Sequence, residues 1–466
     1  MATNIIGDTE WNGLPMPRRL GAIVAVAFGV SLSVIDSVIA NVALPTLASE
    51  FGTSSANSVW IVNAYQLALI TTLLIFSNLG DILGYRRIYI SGLVLFTVAS
   101  AGCALSTTFA SLIAWRAVQG IGAAAITSVN TTLIRIIYPR RMLARGMGIN
   151  ATVVAVSSVA GPSVAAAILS VTTWHWLFAV NLPVGLIAFT LSSRFLPQNP
   201  VKVEGRRFDW RSGVMCALTF GLVMACVEGY SHGMSLHVWF VLAAVAAVVA
   251  WRFVTDQLRK PMPILPFDLL RIPIFSLSIV TSICSFTAQM LAMVSLPFIL
   301  QHSMGYDAVS TGLIFTAWPM VIMVVAPLAG VLAERIHAGY LGLTGLLIMT
   351  LGLVMLGLLP SSPTDFDIIW RLVLCGMGFG LFQSPNNSIM IASAPQHRSG
   401  SASGMLATAR LTGQTMGAAL VAFFFHWHGG ETTMTPLFVA AAFAFFGAML
   451  SASRIHLPLP EGLRRK

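Results

Sequence analysis

Asp36 lies within SVIDSVIANVALP, Ser33 to Pro45, a stretch that otherwise reads as a membrane helix. An ionisable residue near the centre of such a helix costs about 2.5–3.5 kcal/mol on insertion scales, and such residues mark proton and ion pathways. A second charge, Arg116, lies inside the apolar stretch 109–133. At 1.5 Å rise per residue, Asp36 sits about 24 Å from one edge of its helix and Arg116 about 10 Å from the opposite edge. In a hydrocarbon core about 30 Å thick the two depths nearly coincide. The pair is therefore expected to face each other or to share a polar cavity. Protonating Asp36 would weaken that coupling and change what the cavity prefers to hold. The competing expectation is a fixed ion pair that only sets helix packing.

The elements that must position these residues follow from composition. Of 466 residues, 56% are apolar and 9% charged, against roughly 25% charged in soluble domains. Lipid must be the solvent for most of the chain. Apolar runs separated by polar or Pro/Gly breaks predict spans near 20–44, 57–77, 88–106, 109–133, 147–170, 174–196, 211–230, 236–254, 274–300, 310–333, 340–359, 366–391, 402–426 and 433–452. Lys and Arg fill alternate loops and the span ends beside them, and of 26 only Arg116, Arg371 and Arg410 fall more than three residues inside a span. That is the positive-inside pattern, and it puts both termini in the cytoplasm. The net charge of +10 is thus a topology signal and implies no nucleic-acid partner. Residues 1–19 are polar, with no cleavable signal, so the first span is expected to be retained. Cys103, Cys216, Cys226, Cys284 and Cys375 all lie in apolar runs and read as buried thiols.

The expected fold is an all-α integral membrane protein of 14 transmembrane helices, as two pseudo-symmetric six-helix halves plus two inserted linking helices. Its parts are a cytoplasmic tail (1–19), an N-terminal half (20–196), linkers with inserted helices at 211–230 and 236–254 (197–273), a C-terminal half (274–452) and a second cytoplasmic tail (453–466). The two halves share residues 256 positions apart: Gly120, Gly122, Ser128, Asn130, Pro139, Gly148 and Gly161 recur as Gly376, Gly378, Ser384, Asn386, Pro395, Gly404 and Gly417. Two parallel six-helix repeats are the plan of a secondary transporter, with the substrate path between them.

Three further motifs surround the charged pair. GDILGYRR, Gly80 to Arg87, follows the second span. Gly84 permits a tight turn there, and Asp81, Arg86 and Arg87 are expected to form a charged latch at the cytoplasmic mouth. SSVAGPSVAAA, Ser157 to Ala167, places Gly161 and Pro162 among small residues that allow close helix approach. RAVQGIG, Arg116 to Gly122, carries the fourth-span arginine.

On these motifs, with IDSVIANVALP, WHWLFAVNLPVG (174–185) and FDWRSG (208–213), the chain resembles the fourteen-span drug:proton antiporter family of the major facilitator superfamily over nearly its whole length. Ser77, Ser157, Ala165 and Ala166 stand where that family usually has glycine, and the second membrane acid that some relatives carry in span ten is absent. The resemblance implies a non-enzymatic, proton-coupled exporter of amphipathic, often cationic, drugs or antiseptics, in a bacterial cytoplasmic (inner) membrane. Protons are its coupling ion, and no cofactor or metal is implied. The alternative within the same fold is export of a metabolite such as an organic acid, siderophore or amino acid. Whether a periplasmic adaptor is needed stays open.

The substrate cavity is expected among Asn41, Asn63, Tyr65, Gln66, Asn130, Gln289, Met290, Met293, Phe382, Gln383, Asn386, Asn387 and Arg410. Methionine adapts to many shapes and aromatic faces attract cations. Arg371 and Arg410 could bind anions or pair with backbone carbonyls. Glu228 reads as interfacial, as does the HWH of 426–428 in preference to a metal site. One-for-one exchange of a proton for a monovalent cation cancels the electrical term and leaves about tenfold per pH unit. Cation export against a voltage would therefore want a second proton site, and Asp36 is the only acid deep in a span.

Overall fold

The computed structural model describes residues 13–457 other than 54–57, 59, 200–207, 232–233, 261–262, 307, 361 and 428–432. The first half is built from α1 (Arg18–Glu50), α2 (Trp60–Leu83), α3 (Tyr85–Ala104), α4 (Phe109–Ile137), α5 (Leu143–Val171), the short α6 (His175–Ala179) and α7 (Asn181–Phe195). The inserted helices are α8 (Trp210–Ser231) and α9 (Leu236–Leu258). A one-turn α10 (Phe267–Leu270) leads into α11 (Pro273–Phe298), α12 (Ala308–Phe315), α13 (Ala317–Leu332), α14 (Ala338–Gly357), α15 (Asp365–Ser393), α16 (Ser399–Trp427) and α17 (Thr435–Ser453). Helix lies at each of the fourteen expected places. The tenth is divided at Thr316 and the sixth is split between α6 and α7.

Among the described residues eleven helices are long and apolar enough to cross a membrane. The three remaining places are α8, α15 and α16. The last two carry polar faces: Gln383, Asn386 and Asn387 on α15, and Thr408, Arg410 and Gln414 on α16. Backbone groups in lipid must be satisfied within the segment, which favours helices throughout. Large apolar side chains such as Phe240, Val241, Val245 and Val248 of α9 point outward, as lipid contact requires.

The duplication extends to capping and packing. Thr108 opens α4 with a capping box closed by Ser111, and Thr364 opens α15 with one closed by Asp367. Each box satisfies two orphan donors of a helix end. Pro139 and Pro395 each precede a short 3-10 turn, Arg140–Met142 and Gln396–Arg398. The paired glycines sit at equivalent contacts. A Cβ at Gly120 would lie 2.3 Å from the Tyr65 carbonyl oxygen, and one at Gly376 2.7 Å from that of Trp318. Gly122 seats α4 on α3 at Phe96, and Gly378 seats α15 on α14 at Met349. Gly161 presses α5 on Val38 of α1, as Gly417 presses α16 on Met290 of α11. A side chain at any of these positions would drive two helices apart, so the repeat is a repeat of close helix crossings.

Across the halves the same logic holds. Gly148 of α5 meets α13 at Ala326, while Gly404 of α16 meets α2 at Ser77. The bundle end that carries the basic loops is stitched by hydrogen bonds between the halves. Thr132 donates to the Ser399 carbonyl at 2.7 Å, Arg135 to Ser399 Oγ at 2.7 Å and Ser384 to the Ala144 carbonyl at 2.8 Å. Arg145 and Glu334 pair at 3.1 Å.

The linkers are tied at the same end. Arg398 binds Asp268 of α10 at 2.7 Å, fixing the second linker to the start of α16. At the foot of the inserted pair, Lys260 bridges Asp209 at 2.6 Å and Asp256 at 2.5 Å. Partial burial of Asp209 opposes its charged form. The hydrogen bonds from Lys260 and Ser212 outweigh that and hold its carboxyl down at about 2, below the usual carboxylate value.

Candidate functional site

Asp36 and Arg116 meet. Arg116 Nη1 lies 2.6 Å from Asp36 Oδ2, and both side chains are fully enclosed, at 1% and 0% exposure. The sequence expectation of facing residues is met as a direct contact rather than as two walls of a shared cavity. Three further residues complete the cluster. Gln119, one turn after Arg116 on α4, donates to Asp36 Oδ1 at 2.8 Å and accepts from Arg116 at 2.6 Å. Asn181, the first residue of α7, donates to Asp36 Oδ1 at 2.6 Å. Ser100 of α3 accepts from Gln119 at 2.8 Å. Arg116 Nε also donates to the Ile61 carbonyl of α2 at 3.0 Å, and its guanidinium lies over the Tyr65 ring at 4.4 Å. One carboxylate thus holds donors from α4 and α7, and through them draws in α2 and α3.

The sequence reading missed Gln119, Asn181 and Ser100. Gln119 and Asn181 stand inside the motifs RAVQGIG and WHWLFAVNLPVG, which was the available signal. Among the described residues the second half has no counterpart to this cluster. The positions 256 residues after Arg116 and Gln119 are Leu372 and Cys375, both buried and apolar.

A cavity of about 390 Å³ opens between the halves. α4, α5, α11, α13, α15 and α16 line it, with polar residues Asn130, Asn150, Gln289, Gln383, Asn387, Arg410 and Gln414 and apolar residues Met290, Met293, Phe286, Phe379 and Trp318. Of the expected cavity residues, Asn130, Gln289, Met290, Met293, Gln383, Asn387 and Arg410 are in this wall. Phe382 and Asn386 are not. They sit on the face of α15 turned away from Phe379, Gln383 and Asn387, which follow each other at helical spacing. Phe382 is buried, and Asn386 is tied to Ser282 at 2.8 Å and to Arg454. Tyr65 is buried under Arg116 and not in the wall, and neither Asn63 nor Gln66 is among the lining residues. The side chain of Asn41 lies outside the described residues, as do those of Glu228, His426 and His428.

The latch differs from expectation. Asp81 makes no pair with Arg86 or Arg87. Its carboxylate accepts from the Gly400 and Ser401 backbone N–H groups at 2.8 and 3.2 Å, from Ser401 Oγ at 2.8 Å and from the Tyr85 hydroxyl at 2.8 Å. Gly400 and Ser401 lie in the first turn of α16, whose free N–H groups favour an anion. Arg86 instead donates to the Ser193 carbonyl of α7, and Arg87 is exposed. The motif therefore joins the two halves through a helix N-terminus. Gly84, at φ +107°, makes the turn that Cβ-bearing residues disfavour. Asp81→Ala is expected to cost about 1 kcal/mol of this closed contact, about a fivefold shift toward opening. Thiol labelling at Thr131→Cys in a cysteine-free background would rise accordingly; unchanged labelling would show that the contact does not hold the end shut.

Gly161 places α5 against α1 two residues from Asp36, and α5 in turn lines the cavity with Asn150, Val154 and Ser158. Pro162 lies within the unbroken α5, with its ring exposed. Arg371 stays out of the cavity. It donates to the Asp367 carbonyl one turn earlier and lies over the Trp370 ring at 4.4 Å, the carbonyl-pairing alternative. Of the cysteines, Cys226 is only half-buried and the other four, Cys216 of the same inserted helix included, are buried. Among the described residues no cluster of His, Cys, Asp or Glu could hold a metal.

The comparisons agree with this architecture. An uncharacterized transporter of Escherichia coli (strain K12), YebQ, is 56% identical over 447 residues, which is 96% of this chain and 98% of that protein. The multidrug resistance protein Stp of Mycobacterium tuberculosis (strain CDC 1551 / Oshkosh) is 30% identical over 86% of this chain and 75% of its own. Among solved structures, the human organic anion transporter MFSD10 (TETRAN) superposes with a TM-score of 0.70 at 15% identity, covering 94% of this chain and 100% of that one, a likeness of fold alone. The model of the Major Facilitator Superfamily matches residues 26–418, and the chain belongs to that superfamily of transporters.

Proposed function

We propose that the protein is a proton-coupled exporter of amphipathic small molecules, working by alternating access in a bacterial cytoplasmic membrane with both termini in the cytoplasm. The observation that carries this reading is the Asp36 carboxylate. It is enclosed, it is the acceptor for Arg116, Gln119 and Asn181, and it lies apart from the cavity. A proton on Asp36 removes the charge that Arg116 answers and one acceptor for the amides. The helices that meet there, α1, α2, α3, α4 and α7, then lose a shared tether. α1 passes the change to α5 at Gly161, and α5 forms part of the cavity wall. Tyr65, with Arg116 on its ring and Arg410 within Coulombic reach, supplies a second route to the cavity. Proton entry and cargo exit would in this way use different sites on one rocking half.

The name of Stp supports drug export as the function. A second reading, export of an organic acid or other metabolite, is favoured by one observation. The described wall of the cavity contains Arg410 and no carboxylate, whereas a cationic cargo would want the reverse. Growth of a drug-hypersensitive host expressing the chain separates the two. Drug export predicts raised tolerance to several amphipathic antiseptics or dyes. Unchanged tolerance across the panel, with the protein present in the membrane, would leave metabolite export.

A further inference from the structure

Arg410 is the only cation in the described wall of the central cavity. Its surroundings are unlike those of the buried arginines. Arg116 is held by Asp36, Gln119 and Ile61; Arg398 by Asp268; Arg454 by Ser278, Asn386 and Ser451. Arg410 makes no hydrogen bond or ion pair with any described residue, and its buried Nε has no partner. Arg410 is half-buried, and a cation drawn partly out of water without a counter-charge is a costly arrangement that pairing normally relieves. Four of the cavity amides share this state, whereas Asn130 donates to Asn150 at 3.0 Å. Gln289, Gln383, Asn387 and Gln414 line the same space and make no hydrogen bond to another described residue. The apolar part of the wall is the half-buried Met290, Met293 and Phe315, backed by the buried rings of Phe286, Trp318 and Phe379.

We propose that this cavity takes an anionic amphiphile, with a carboxylate, sulfonate or phosphate head on Arg410 and an aromatic body against Met290, Met293 and Phe315. Guanidinium is suited to such heads because its fork matches their paired oxygens. The inference deepens the exporter reading and rests on the cavity being the cargo site. Energetics point the same way. When an anion leaves as a proton enters, both charges run with an inside-negative voltage. At 100 mV and one pH unit, a single proton then sustains a gradient on the order of 10⁴-fold, against about tenfold for a monovalent cation. The lone acid Asp36 is sufficient for the first case. The position 256 residues before Arg410 is Val154, which lines the cavity from α5. The two repeats have thus divided the work, the proton group in one half and the anion group in the other.

The test uses the full chain in lipid nanodiscs and two probes with one ring system, 8-anilinonaphthalene-1-sulfonate and the uncharged N-phenyl-1-naphthylamine. Wild type is expected to bind the sulfonate saturably. Arg410→Gln should weaken that binding about tenfold or more while the uncharged probe changes by less than about twofold, which also reports an intact cavity. Gln414→Glu, one turn away on α16, should do the same by giving Arg410 an internal counter-ion. Unchanged sulfonate affinity in both variants, or saturable binding of the uncharged probe alone in wild type, would overturn the proposal. Asp36→Asn should retain sulfonate binding. If sulfonate binding depends on Arg410 but its transport ignores an imposed pH gradient, the proton-coupling reading fails and the anion site stands.

Discussion

Asp36→Asn is expected to abolish uphill transport in proteoliposomes, a loss of a hundredfold or more in pH-driven accumulation, while the protein folds and still exchanges cargo down its gradient. The asparagine keeps the shape and one acceptor for Gln119 and Asn181, so the tether among the five helices is partly preserved. It cannot take up a proton, so the charge on Arg116 goes unanswered in every state of the cycle. The variant mimics the proton-loaded carboxyl permanently. Downhill exchange requires only the empty-to-loaded rocking, whereas uphill movement requires the titration. Retained pH-driven accumulation in this variant would mean that the carboxylate is a packing element and that coupling resides elsewhere.

Arg116→Leu should have the largest effect on stability. Leucine stands at the equivalent position of the second half, Leu372, so the helix geometry accepts it. What the structure does not accept is a carboxylate with 1% exposure and no cation beside it. Removing one partner of a buried pair costs about 3 kcal/mol or more, because the other charge is left uncompensated. The melting temperature of Arg116→Leu in detergent is therefore expected to fall by several degrees, and Asp36→Asn combined with it should recover most of the loss. Such recovery is the signature of a coupled pair. If the single variant melted like wild type, Asp36 would already be neutral in the folded protein, and Arg116 would owe its place to Ile61, Tyr65 and Gln119.

The legible and illegible parts of this molecule divide along physical lines. Asp36 and Arg116 were placed together by depth alone, because helix rise and membrane thickness leave charges in two spans few places to differ. The glycines at 120, 122 and 161 and their partners in the second half were readable because a close crossing tolerates no side chain on either copy. Gln119, Asn181 and Ser100 were not, since an uncharged polar residue in a span gives no sign of whether it binds a carboxylate or its own helix. Phe382 and Asn386 were assigned to the cavity because α15 is covered on all sides: its polar residues occur on two faces, and nothing in their order says which face meets the cavity. The Asp81 contact escaped for another reason. An acid near two arginines in sequence reads as a local ion pair, whereas the stronger claim on it came from the first turn of a helix more than three hundred residues away.

The most direct measurement is the proton count on transport. The purified chain in lightly buffered proteoliposomes is given a cargo gradient while a trapped pH indicator is followed. The account predicts that wild type moves close to one proton in the direction opposite to each cargo molecule and that Asp36→Asn, passing the same cargo down its gradient, moves none. Equal proton movement by the two proteins would contradict it.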